Sequence, residues 1–211
     1  IKFLSDTDEL ISGIVYGGLS KKKINIFQIG FYLNLEVSFK NNRPPSINAE
    51  LSEPYVSNII NDKYKLNCLL CVTSLINLSI VEGQKVKNIY NISNDFLNTM
   101  FFKKKWIRNF FIFLFKLLKI IGYEIDYNHN LNNKYFNLET LEFSNNITNH
   151  SIEFPYKLLN DKNINFDYVS IEQIFKIFET VFTKNHLSNF NLQLPNQYHL
   201  FKKVIIERLK S

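Results

Sequence analysis

Apolar and polar residues alternate most regularly between residues 31 and 39. Phe31, Leu33, Leu35, Val37 and Phe39 fall on one side of the alternation and Tyr32, Asn34, Glu36 and Ser38 on the other, the period of two expected of a half-buried strand. A shorter strand is expected at 12–16, ended by the turn signal Gly17-Gly18, and another through Ile47, Ala49 and Leu51, stopped by Pro54. The polar run 41–46, with Pro44 and Pro45, separates the last two. The first 55 residues therefore read as all-β, with at least three strands and an alternation suited to a small barrel.

Beyond Pro54 the period becomes helical. Asp62 is placed to cap a helix whose apolar face is Leu66, Leu69, Leu70, Thr73, Leu75 and Ile76. A second helix over 86–100 turns Val86, Ile89, Tyr90, Phe96, Leu97 and Met100 inward. A third, over about 104–121, stops at Gly122, a residue suited to the left-handed position past a helix end. Residues 126–168 are polar and Asn-rich, with a short strand pair expected around 135–143 and an interruption at Pro155. Ser170 followed by Gln173 resembles a capping box, opening a helix that buries Ile171, Ile174, Phe175, Phe178 and Phe182. Pro195 starts a last helix through Leu200, Phe201, Val204, Ile205 and Leu209. The expected class is α+β, with a β domain over 1–57 and a helical domain over 58–211 that carries the polar insertion at 126–168.

Composition adds that the apolar part is rich in Phe, Ile and Leu, with 20 Phe, 11 Tyr and a single Ala, Ala49. Positive charge is almost entirely Lys, and Asn occurs 29 times, the signature of an AT-rich gene. Many Asn and Lys residues therefore carry no message about selection. The net charge of +6 is unevenly placed. Residues 1–60 are balanced, residues 61–122 reach +7, 123–170 fall to −4, and 171–211 return to +3. A field of this kind suits a polyanionic partner. The most apolar stretch, 110–115, is far short of the ~20 residues that a bilayer span requires, and Lys103, Lys104, Lys105, Arg108, Lys116 and Lys119 surround it. It reads as a buried helix, and the start of the chain does not read as a signal peptide.

Catalytic constellations are absent from the pattern. His129, His150, His186 and His199 are scattered, with no pair at helical ligand spacing. Cys68 and Cys71 have CxxC spacing but lie inside an apolar helical run without a second ligand pair, so packing is their expected role. Two cysteines exclude a disulfide scaffold and make a reducing compartment the default. Six dispersed Gly build no phosphate loop, and no acidic cluster suggests a nuclease.

Several words in the sequence resemble the RecO family of recombination mediators. The segment 13–23, Gly-Ile-Val-Tyr-Gly-Gly-Leu-Ser-Lys-Lys-Lys, is similar to the place where a RecO barrel strand ends in a glycine turn and a short basic run. Phe27-Gln28-Ile29-Gly30-Phe31 resembles the family's entry to the next strand, with Ile29 where proline is common. Glu82 stands where an acidic residue is usual, and Leu117-Leu118-Lys119-Ile120-Ile121-Gly122-Tyr123 resembles a family helix ending. Pro195 opening a helix with Arg208 near its end completes the order. Two features depart from the family: further residues at the front that supply the first barrel strands, and a four-cysteine zinc site after the glycine-ended helix. The segment 126–150 offers only His129 and His150, where a closed zinc site needs four ligands. Packing of Tyr135, Phe136, Leu138, Leu141 and Phe143 is expected in its place.

The resemblance implies an oligonucleotide-binding (OB) barrel followed by a helical domain, and a cytoplasmic, non-enzymatic bacterial protein without cofactor. Such a protein binds single- and double-stranded DNA, anneals strands and helps load the RecA recombinase. It acts with RecR on DNA covered by single-strand binding protein. Lys21, Lys22 and Lys23 at a barrel rim, with Lys40 and Arg43 at the end of the next strand, are the expected phosphate contacts. Lys103, Lys104, Lys105 and Arg108, read as opening a helix against its dipole, are the expected cations for the acidic tail of single-strand binding protein. Trp106, beside them, is expected in the core. The alternative reading is a helical interaction adaptor with a docking barrel and no DNA role, which the balanced charge of 1–60 favours.

Overall fold

A computed structural model describes residues 1–41, 43–161 and 166–210, apart from the side chain of Lys22. The chain divides into two compact units, Ile1–Lys103 and Lys104–Ser211. The change of period at Pro54 had placed the division after residue 57, but the helices that follow Pro54 pack with the strands before it.

The first unit begins with an antiparallel pair, β1 (Lys2–Leu4) and β2 (Leu10–Ser12). The strand expected at 12–16 ends early. Past Ser12 only Ile14 remains in register, in an isolated parallel bridge to Ser46. A four-residue helix α1 (Lys21–Ile24) follows, and then the long hairpin of β3 (Tyr32–Lys40) and β4 (Arg43–Glu53). The turn is tighter than the polar run 41–46 suggested. Lys40 pairs directly with Arg43, so Pro44 and Pro45 lie within β4. Alternation holds from Leu33 to Val37, whose apolar side chains are half-buried while Asn34 and Glu36 are exposed. The strands form two two-stranded sheets joined by the Ile14 bridge, and among the described residues no barrel closes.

After a 3-10 turn at Tyr55–Ile59, helices α2 (Lys63–Ser79) and α3 (Ile89–Phe102) complete this unit. Asp62 caps α2 as its sequence position indicated, its carboxylate accepting from the amides of Tyr64 and Lys65. The buried face is rotated from the expected one. Cys68, Cys71 and Val72 are fully buried beside Leu69, Leu75 and Ile76, while Leu70 is exposed. Gly30 explains how the hairpin reaches this helix. It has φ +85, and a Cβ there would lie 2.7 Å from Leu69 and 2.8 Å from Val56, so only glycine supplies both the turn and the approach.

Helix α3 is capped from a distance. Asn88 at its start is left-handed and makes no side-chain cap. Instead the carboxylate of Asp8, in the β1–β2 turn, accepts from the amides of Asn88 at 2.8 Å and Tyr90 at 3.0 Å, and its carbonyl accepts from Val86. These amides have no partner within the helix. Asp8→Ala is expected to cost about 1–2 kcal/mol of the first unit's stability, measured by denaturant unfolding. Asp8→Asn, which keeps one acceptor and tolerates the left-handed backbone, should lose less.

The second unit is built around α4 (Ile107–Ile120), buried on nearly every side apart from Lys116 and Lys119. The apolar run 110–115 lies inside it, and among the described residues no helix is long and apolar enough to cross a membrane. Gly122, with φ +95, ends it: the Tyr123 amide donates to Leu118 at 2.8 Å and the Gly122 amide to Lys119 at 3.1 Å, the double closure of a Schellman motif. The Asn-rich region forms a three-stranded sheet, β5 (Tyr135–Asn137) flanked by β6 (Phe143–Ser144) and β7 (Ser151–Glu153), one strand more than expected. Its rings pack together: Phe143 and Phe154 are 5.0 Å apart, Phe154 and Tyr156 4.6 Å, and Phe136 and Phe143 5.1 Å.

After α5 (Tyr156–Asn160), helix α6 (Tyr168–Asn185) is capped by Asp167 rather than Ser170, since its carboxylate accepts from the Ser170 amide. Asp167 comes three residues earlier, so the helix gains a first turn ahead of the expected cap. Its inward residues are those expected, joined by Ile177 and Val181. A 3-10 turn (Leu187–Phe190) leads to α7 (Asn196–Lys210), which follows Pro195 and buries Tyr198, Phe201 and Ile205. Leu200 is exposed, against expectation. Trp106 is 2% exposed, near Phe201, a core residue as expected.

Candidate nucleic-acid interface

The hairpin tip brings two of the expected cations together. Lys40 ends β3, Arg43 opens β4, and the two are cross-strand neighbours. Both are exposed, and among the described residues neither has an acidic partner. Two cations this close repel one another, so the placement lowers stability slightly and leaves a concentrated positive site. Phe39 stands beside them. It belongs to the apolar side of the alternation, but it is 78% exposed and falls where the register with β4 shifts, between Ser38 and Lys40.

The remaining faces of the hairpin are different. Its polar side carries Glu36 opposite Asn48 and Glu50 opposite Asn34, all exposed. A polyanion approaching that side meets carboxylates, so only the tip suits one.

The lysine triplet is not a uniform basic rim. Its residues form α1, whose start is capped by the Ser20 hydroxyl accepting from the Lys23 amide. The Lys23 ammonium donates to the Tyr16 carbonyl at 2.7 Å and so ties the glycine turn to the helix. Lys21 is exposed, and the side chain of Lys22 lies outside the described residues. Leu19, at 91% exposure, stands at the head of this helix.

The cluster at 103–108 is also divided. Lys103, Lys104 and Lys105 are exposed but precede α4 instead of opening it, because the buried Trp106 occupies its N-cap position. They stand just ahead of the helix end, so the opposition of its dipole acts on them from outside the first turn. Arg108, in the first turn, is half-buried and donates to the Leu159 carbonyl at the end of α5. That bond engages part of its guanidinium within the second unit, so it is less open than the three lysines before it.

Other chemistry-bearing groups are accounted for by packing. Burial pushes both thiols well above the usual range, with Cys71 adding to the effect on Cys68, which keeps them protonated and unreactive. Burial, with the phenols of Tyr90 and Tyr55 alongside, raises Tyr32, whose hydroxyl donates to Asn94 at 2.8 Å. His129 holds the Asp126 carboxyl below its usual range through a 2.7 Å hydrogen bond. His150 lies 3.5 Å from Glu139, and His186 stacks on Phe182. Among the described residues no group of three or more His, Cys, Asp or Glu converges to hold a metal ion. An open depression beside Ile14, Pro44 and Pro45 has Lys2 and Glu82 on its lining, one charge of each sign, and no convergent set of donors.

The residue that pattern reading missed is Asp8. Its signal was a Thr-Asp-Glu turn between two short apolar runs, but nothing local indicates a partner 80 residues away. No family model matches the chain, and neither any curated protein nor any solved structure does.

Proposed function

We propose that the chain is a non-enzymatic DNA-binding protein of RecO type, which promotes strand annealing and RecA loading in recombinational repair. The observation that carries the reading is the pair Lys40 and Arg43, joined across the hairpin tip and free of acidic partners among the described residues. Cations so placed neutralise adjacent phosphates and release their counterions. Phosphate contacts carry no base identity, so a tip of this kind holds single or double strands and leaves base edges free to pair. Lys21 adds a third exposed cation to the same unit.

The order of elements supports the reading. Two antiparallel strand pairs, β1–β2 and β3–β4, come first in the chain, and helices follow, the β-then-α order that this reading requires. Within the proposal, RecR and single-strand binding protein are partners. Lys103, Lys104 and Lys105, with the partly engaged Arg108, are the candidate cations for the acidic tail of the latter.

A second reading has its own support. The acidic polar side of the hairpin, with Glu36 and Glu50, favours an adaptor that docks proteins and leaves DNA alone. Binding of single- and double-stranded oligonucleotides at two salt concentrations separates the two. The mediator reading requires affinity that falls steeply with salt, while no binding at low salt favours the adaptor.

A further inference from the structure

The hairpin β3–β4 has two edges with different protection. On the β4 edge, Pro44 and Pro45 have no N–H to offer, and Ile14 bridges to Ser46. The β3 edge has no proline, and among the described residues no backbone group pairs with it. Its register with β4 is regular from Leu33 to Ser38, with irregularities only at the ends. Natural edge strands are blunted by proline, bulges, lysines or a covering segment, because free N–H and C=O groups template further pairing. From Tyr32 to Phe39 this strand carries one charge, Glu36.

We propose that the β3 edge is a dimer interface, on which β3 of a second copy adds antiparallel about a two-fold axis at Leu35. The strand's own pattern identifies the occupant. Directly opposite side chains in an antiparallel pair share a face. With the axis at Leu35, Leu33 faces Val37 of the second copy, Leu35 faces itself, and Phe39 faces Phe31, the residue just ahead of the second copy's β3. All five apolar positions then meet apolar ones, while Glu36 faces Asn34 and no like charges meet. With the axis one residue on, the two Glu36 carboxylates would lie opposite each other, which is destabilising. Phe39 has no register partner on β4 among the described residues, and the second copy supplies one. The dimer is a four-stranded sheet in the order β4–β3–β3–β4, with the two cationic tips at opposite ends.

Sedimentation of the full chain without DNA tests the interface, so its failure leaves the nucleic-acid reading standing. A reversible dimer is expected. Phe39→Glu, at a position exposed in the single chain, should weaken association by at least roughly tenfold. Leu35→Cys tests the register. Opposed residues in antiparallel strands have Cα atoms about 4.5–5.5 Å apart, within disulfide reach, so mild oxidation should link two copies. Val37→Cys, whose counterpart is Leu33, should link far less. Cys68 and Cys71 are buried and do not compete. A chain that stays monomeric at every soluble concentration overturns the proposal. So does a dimer indifferent to Phe39→Glu, or one that cross-links equally through the two introduced thiols.

Discussion

Phe110→Ala should bring the second unit close to unfolding. The ring is 0% exposed and lies 4.7 Å from Phe201, 5.4 Å from Phe111 and 6.2 Å from Phe175, so it joins α4 to both α6 and α7. Removing a buried phenyl loses its transfer free energy and leaves a cavity, together about 3–5 kcal/mol. Domains are stable by only about 5–15 kcal/mol, so a loss of this size takes a large share of the margin. The chain contains one Trp, the buried Trp106, which lies near Phe201 in the same unit. Its emission therefore follows the second unit alone. The denaturant midpoint read from that emission should fall sharply in the variant. An unchanged midpoint would mean that neighbouring rings collapse into the space, and that the packing around α4 is looser than the structure indicates.

The second large effect concerns DNA. Replacing Lys40 and Arg43 together by Ala would remove the two proposed phosphate contacts from the hairpin tip. Each charge-assisted contact contributes about 1 kcal/mol or more, so affinity should drop roughly tenfold to a hundredfold. The slope of log affinity against log salt should become shallower by about 2. The loss should be equal across sequences, since phosphates carry no base identity. The fold should persist or gain slightly, because the change relieves repulsion between two exposed cations. Lys23→Ala is the contrasting substitution: it removes the bond to the Tyr16 carbonyl and should affect the turn more than DNA binding. If the tip variant binds as the parent does, with the same salt slope, the tip is not the interface.

The legible parts of this molecule were those decided locally. Alternation from Leu33 to Val37, the Asp62 cap and the glycine end of α4 all depend on residues within a few positions of one another, and the structure has each of them. Three kinds of feature were not legible. Phe39 obeys the period of its strand, yet it lies where the register with β4 shifts and is exposed, which no strand pattern encodes. Arg108 reads as one more cation in a basic run, and its bond to Leu159 arises only when α4 and α5 pack together. The rotated face of α2 has a related cause. Cys68 and Cys71 are buried as packing residues, as expected of small sulfur side chains, but the apolar face read from the leucines alone left them out. The candidate site was half legible: Lys40 and Arg43 were placed together at the end of one strand, but the tight turn that makes them cross-strand neighbours was hidden by a proline pair that looked like a break.

The distant cap on α3 also sets an order of events during synthesis. Asp8 emerges long before the helix it serves, and waits as an open turn until Asn88 and Tyr90 arrive. Closing so long a loop costs entropy, and the cap cannot be made before residue 90 has been added. The amino-terminal hairpin thereby fastens the start of α3 across 80 residues of chain. A ribosome releasing residues one by one would hold this region incomplete until the middle of the chain is made.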